Sequence, residues 1–167
     1  KISSIFNIKK KIILKGINTF KGLPHRSEVF YQKKGIIFIN DSKATSFDAS
    51  KYALKNNKNI FWIVGGSPKL GDTFKLQDLK KNIIKSYIIG KSINYFKKQI
   101  NKTIIYNSSF TIEKALKDII TDLNLLKKYR ATVLLSPASA SYDQFNNFNE
   151  RGNYFKKLTL KYARKLL

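Results

Sequence analysis

This chain predicts an α/β domain: a Rossmann-like, mostly parallel sheet with helices on both faces and an N-terminal antiparallel hairpin strand. Three observations carry that reading. Short apolar runs alternate with segments of helical periodicity along most of the chain. Residues 60–64, IFWIV, are apolar at every position, as a strand buried on both faces should be. Three polar stretches, starting at Asn40, Gly65 and Ser136, each follow directly on such a run. A parallel sheet gathers them at one edge, where open α/β sheets hold their ligands.

The opening residues have Ile13, Ile17 and Phe20 in helical spacing and little that marks an independent start. We read 1–21 as a linker and helix from a preceding domain and 22–167 as the domain proper. The absence of methionine, even at position 1, fits an excised domain, a partial sequence or a trimmed product. Residues 28–32 and 36–39, separated by Lys33, Lys34 and Gly35, predict a hairpin. Ser46 or Asp48 then caps a helix over about 47–55, with Ala49, Tyr52 and Ala53 toward the sheet. Gly65 and Gly66 break the strand at 60–64, and a loop runs through Asp72.

A short helix over 76–84, a strand over 86–89 stopped by Gly90, a helix over 92–100 and a strand over 103–106 follow. The clearest helix has Ile112, Ala115, Leu116, Ile119, Ile120 and Leu123 on one face, capped by Ser109 or Thr111. Residues 132–135 form the last strand, and a terminal helix starts at about Arg151.

Composition bounds the function. A chain of 167 residues buries roughly 70% of its unfolded surface and needs no disulfide or metal staple. There is no cysteine and a single histidine, which argues against zinc and excludes thiol chemistry. The longest apolar run, 60–64, is far short of the roughly 20 residues a membrane helix needs, and no signal peptide is visible. The expected setting is soluble and cytoplasmic. Lysine and arginine outnumber acids 33 to 10, for a net charge of +23. Only Arg26, Arg130, Arg151 and Arg164 are arginine, whereas nucleic-acid readers use arginine heavily for its planar fork. Lysines scattered over every element read as a solvated surface, so no specific nucleic acid is expected.

Four polar motifs carry the chemistry. The loop after the last strand holds Ser136, Ser139, Ser141, Asp143 and Gln144, with Phe145 and Phe148 able to anchor it from beneath. A plain capped turn is the alternative. In NDSKAT, Lys43 offers a mobile charge for an anion, Asp41 an acceptor for hydroxyls or a metal, and Thr45 a hydroxyl near a helix N-terminus. An Asx-type cap beside an exposed lysine remains open there. GGSPK allows tight passage after its strand and places Lys69 outward as a carboxylate partner; it is not a P-loop, and no GK[ST] occurs at P-loop spacing. In GLPHR, Pro24 stiffens the approach to His25 and Arg26. A Ser141, Asp143 and His25 triad lacks any GxSxG elbow.

The stretch LLSPASASYDQFNNFNERG resembles the closing motif of the Mur ligase family, above all of its D-glutamate-adding members. GLPHR, INDSKAT and GGSPK fall in the order and spacing of the C-terminal domain of those enzymes. The resemblance implies an ATP-dependent amide-bond-forming ligase that joins D-glutamate to UDP-N-acetylmuramoyl-L-alanine through an acyl phosphate, in peptidoglycan and cell wall synthesis. ATP and Mg2+ are implied as cofactors, with the metal ligands in the central domain that this chain does not resemble. Carried over by motif, Arg26 contacts nucleotide phosphates, Asp41 the ribose, and Lys43 is the catalytic group between phosphate and substrate. Thr45 and Lys69 hold the side-chain carboxylate of D-glutamate, and Ser141 with the backbone around Phe148 holds its α-carboxylate.

The expected partners are these substrates and the preceding domains, with no membrane and a monomeric enzyme. Alone, the chain is expected to be inactive. A stand-alone anion- or nucleotide-binding module without ligase activity is the alternative. A lysine-rich RNA-binding protein is a third reading, and it needs aromatics on an exposed sheet face.

Overall fold

The computed structural model describes residues 5–100, 103–127 and 130–166, with the side chains of 164–166 left out. Residues 1–4 of the expected linker and the last residue of the expected terminal helix lie outside them. Among the described residues six strands form one sheet: β1 (Glu28–Lys33), β2 (Ile36–Asn40), β3 (Ile60–Gly65), β4 (Ile83–Ile89), β5 (Tyr106–Phe110) and β6 (Ala131–Leu135). Their order is β1-β2-β6-β3-β4-β5, antiparallel between β1 and β2 and parallel elsewhere. Lys34 and Gly35, both with positive φ, turn the hairpin as its right-handed twist demands.

Helices named among the described residues are α1 (Lys10–Thr19), α2 (Phe47–Asn56), α3 (Ile93–Ile100), α4 (Ile112–Leu125) and α5 (Phe148–Leu166). Strand β3 is buried throughout and alternates between two cores. Phe61 and Ile63 face Leu116, Ile119 and Phe155 of α4 and α5. Ile60, Trp62 and Val64 face Phe47 and Leu54 of α2 and Phe96 of α3. Phe38, Phe61, Trp62 and Tyr87 are each 0% exposed, so the sheet presents none of these rings as a platform for bases. Helix α1 buries none of its residues. Among the described residues no helix is long and apolar enough to cross a membrane.

The structure departs from the sequence expectations at three places. Residues 76–84 are not a helix: Leu76 and Leu79 are buried in a turn, Lys80–Asn82 is a single 3-10 turn, and β4 already begins at Ile83. The apolar spacing is met by that turn, while Asn82 Nδ2 donates to the Leu54 and Lys55 carbonyls at the end of α2. The strand expected over 103–106 lies later, at Tyr106–Phe110. Thr103 and Ile104 donate back to the Ile100 carbonyl and close α3, and the polar run YNSSF takes the sheet edge. Helix α2 is rotated: Ala53 is buried as expected, but Ala49 and Tyr52 are exposed, and Phe47, Ser50 and Leu54 face inward. Phe47 stacks on Phe74 at 4.3 Å, which sets that rotation. Ser46 and Thr111 are the caps of α2 and α4.

Candidate functional site

Strands β2, β6 and β3 lie side by side and parallel, so the three polar motifs leave the sheet at the same edge. Backbone bonds join them at once. The Asp41 N–H donates to the Leu135 carbonyl at 2.8 Å and the Gly65 N–H to the Pro137 carbonyl at 2.9 Å. Ser67 and Ala140 exchange a pair of bonds at 2.9 and 3.0 Å, which sets the GGSPK loop alongside the loop that carries Ser141. Glycine is required at this crossing. Gly65 and Gly66 have φ of 130° and 137°, and a Cβ would stand 2.1 Å from the Ile89 carbonyl oxygen or 2.3 Å from that of Ala140.

Asp41 sits at the junction, 7% exposed. One carboxylate oxygen accepts the Ser27 N–H at 3.0 Å and the other the Ser136 hydroxyl at 2.7 Å. Burial pushes its carboxyl above the ordinary range, against these hydrogen bonds and the Arg26 charge, which favour the ionised form. A cleft of about 350 Å³ opens beside it, lined by Arg26, Ser27, Asp41, Lys43, Ala44, Ala49 and Tyr52. The rotation of α2 therefore brings Ala49 and Tyr52 to this cleft and away from the core.

The turn that presents Arg26 is held from behind. His25 and Ser27, on either side of it, have positive φ of 63° and 44°, a conformation that costs side-chain-bearing residues about 1 kcal/mol or more and that surrounding contacts must hold. Asn40 accepts the Ser42 N–H on its carbonyl oxygen, so its amide donates to His25 Nδ1 at 2.8 Å and to Glu28 at 3.2 Å. His25 Nδ1 is then the unprotonated nitrogen. Burial lowers the His25 pKa, with Glu28 opposing. Glu28 also pairs with Lys156 at 2.5 Å. The only histidine is thus a packed structural ring.

Lys43 is exposed, its N–H donating to the His25 carbonyl and its Nζ lying 4.4 Å above the Phe148 ring. It joins the cleft to the start of α5. Thr45 and Lys69 are exposed, and neither side chain has a hydrogen-bond or ion-pair partner among the described residues. Thr45 does stand at the start of α2, but two donors there are taken: Phe47 N–H by Asp72 at 2.8 Å and Ala49 N–H by Ser46 at 3.3 Å.

Within the last loop, most of the polar residues serve the fold. Ser136 bonds Asp41, Ser139 donates to the Pro137 carbonyl, Asp143 accepts the Lys91 N–H and Gln144 donates to the Phe110 carbonyl. Ser141, 3% exposed, has no side-chain partner among the described residues. Phe145 packs on the core and Phe148 meets His25 edge-on, as anchors should. Arg151, not singled out as a site residue from sequence, is the large polar group at the centre, 1% exposed. Among the described residues no three His, Cys, Asp or Glu side chains come together as metal ligands.

Proteins similar to this chain include three named UDP-N-acetylmuramoylalanine--D-glutamate ligase. That of Nitrobacter hamburgensis is 39% identical over 151 residues, 90% of this chain. That of Rhizobium meliloti is 38% identical over 148 residues, 89% of the chain. That of Wolbachia sp. subsp. Brugia malayi is 36% identical over 157 residues, 94% of the chain. The chain spans about a third of the length of these relatives, 32%, 32% and 31%. No protein-family model matches it.

Proposed function

We infer from its place in the Mur ligase family, to which this chain belongs, that it is the C-terminal domain of a ligase that adds D-glutamate to UDP-N-acetylmuramoyl-L-alanine at the expense of ATP. The observation that carries this reading is the meeting of three motif loops at one sheet edge, with the Asp41 to Ser136 bond at their junction and a cationic cleft beside it. In the reaction, ATP phosphorylates the alanyl carboxylate, the amine of D-glutamate attacks the acyl phosphate, and phosphate leaves. The setting is the cytoplasm, where ATP is supplied.

The residues divide by chemistry. Arg26, exposed on the cleft rim, pairs with nucleotide phosphates, and Asp41, lining the cleft, accepts a ribose hydroxyl. Lys43, held over Phe148 between the two halves, supports the charge that develops on phosphoryl transfer and attack. Lys69 and Thr45, without a hydrogen-bond or ion-pair partner among the described residues, take the side-chain carboxylate of D-glutamate; Ser141 and the backbone near Phe148 take its α-carboxylate. A dianionic amino acid needs two such donor clusters, at about 1.5–3 kcal/mol for each charge-assisted bond. Magnesium, bound through the preceding domains, would polarise the γ-phosphate.

The purified 167-residue chain is expected to bind ATP and D-glutamate weakly and to turn over neither. Substituted for the matching third of the Nitrobacter hamburgensis ligase, it is expected to restore D-glutamate-dependent phosphate release. Binding of neither ligand, or magnesium-dependent ATP turnover by the chain alone, overturns the proposal.

A further inference from the structure

Arg151, near the end of the stretch LLSPASASYDQFNNFNERG, lies where the three loops cross. Its Nε donates to the Ser42 hydroxyl at 3.0 Å, and its Nη2 donates to the carbonyls of Ser42 at 2.8 Å and Ser139 at 3.0 Å. The Ser42 hydroxyl in turn donates to the Phe148 carbonyl at 2.8 Å, closing the set onto the first turn of α5. The third nitrogen, Nη1, is buried without a hydrogen-bond partner. It lies directly against Gly66, since a Cβ built there would stand 3.3 Å away. One guanidinium therefore touches the loops after β2, β6 and β3.

Every acceptor on Arg151 is neutral. A buried guanidinium without a bonded carboxylate carries a large desolvation cost, and apolar residues of similar volume often replace buried charges at no loss of stability. Burial brings the Arg151 pKa down to about 10, with the Asp143 carboxylate opposing through space, so the guanidinium remains charged at neutral pH. A fixed, largely unmatched positive charge beneath a low-dielectric edge raises the potential of the whole edge.

We propose that Arg151 is a positioning residue for an anionic amino acid: it ties the loops of Ser42, Ser139 and Gly66 into one cradle and holds that cradle at positive potential without touching the ligand. The inference rests on the amino-acid half of the proposed function. It differs from a purely structural role in being sensitive to ligand charge.

The test is a ¹⁵N NMR titration of the 167-residue chain with D-glutamate, D-glutamine and ATP. It compares wild type with Arg151→Met, Arg151→Lys and Ser42→Ala, each checked for folding by circular dichroism. In the wild type, D-glutamate is expected to shift amides at Thr45, Lys69 and Ser141. Arg151→Met should weaken D-glutamate by about tenfold or more and D-glutamine by distinctly less, with ATP shifts at Arg26 and Lys43 nearly unchanged. Arg151→Lys, which keeps the charge and loses the fork, should recover part of the D-glutamate affinity. Equal losses for D-glutamate and D-glutamine, or no loss, overturn the inference. If Arg151→Met does not fold, Ser42→Ala decides, because it frees the Nε contact and keeps the charge; unchanged D-glutamate affinity there also overturns it. If the wild type responds to ATP and not to D-glutamate, the amino-acid half of the proposed function fails, and the Arg151 inference falls with it.

Discussion

Gly152→Ala pits two known effects against each other at a point that bears on the site. Gly152 lies inside α5, where alanine is favoured over glycine by about 1 kcal/mol. Helix propensity alone makes the variant more stable. The structure says otherwise. A Cβ at Gly152 would stand 2.2 Å from His25 Nδ1, 2.9 Å from Cε1 and 3.0 Å from Asn40 Nδ2. The His25 ring is 6% exposed and bonded to Asn40, so it has no flexible end to give way. Overpacking of this kind costs about 1–3 kcal/mol, and losing the His25 to Asn40 bond about 1 kcal/mol more. The net expectation is a loss of about 1–3 kcal/mol, which lowers Tm by several degrees, at about 2–4 °C per kcal/mol for a domain of this size. Urea unfolding followed by circular dichroism measures it. Displacing His25 also moves the turn that presents Arg26 and frees the Lys43 N–H, so ATP binding should weaken more than D-glutamate binding. A Gly152→Ala chain as stable as wild type, or more so, refutes the packing argument.

Three further outcomes are expected. Because burial depresses the His25 pKa below its unfolded value of 6.5, the unfolded state binds the extra proton first; stability is full above that value and falls as pH drops below it toward the folded pKa. Urea midpoints at a series of pH values should show this slope in the wild type beyond whatever slope His25→Gln retains, since it is the only histidine; equal slopes refute it. In a ligase carrying this chain, Lys69→Ala should raise KM for D-glutamate about tenfold to a hundredfold with that for ATP nearly unchanged, Arg26→Ala should do the reverse, and Lys43→Ala should lower kcat more than either KM. Steady-state kinetics with each substrate varied in turn checks this, and an intact D-glutamate dependence in Lys69→Ala rules out the role given to GGSPK. Finally, binding of RNA or DNA by the +23 chain should show little sequence preference and collapse between low and physiological salt; a salt-resistant, sequence-selective complex in a gel-shift series contradicts a merely compositional charge.

How much of the site was legible follows from what each residue does. The motifs starting at Asn40, Gly65 and Ser136 were readable because a strand that is apolar on both faces declares its own end, although Asn40 and Gly65 are still the last residues of β2 and β3 and the chain leaves the sheet one residue later there. Lys69 and Thr45 are exposed, and among the described residues neither side chain makes a hydrogen bond or ion pair. Asp143 and Gln144 looked the same in sequence but are spent on the Lys91 N–H and the Phe110 carbonyl. Tyr52 was read into the core, and it lines the cleft because Phe47 found Phe74 and turned the helix.

The sequence by itself determined the class of fold, the edge at which the motifs meet and the family. Those rest on periodicity, strand burial and motif order, which are local or linear properties of the chain. Only the tertiary structure decided which polar groups are consumed inside. Ser136 and Asp41 are bonded across 95 positions, and Arg151 and Ser42 across 109. The edge strand YNSSF and the rotation of α2 were likewise settled by partners distant in sequence. A buried arginine and a surface lysine beside it carry the same charge on paper; what separates them is desolvation, and that exists only once the chain has closed around one of them.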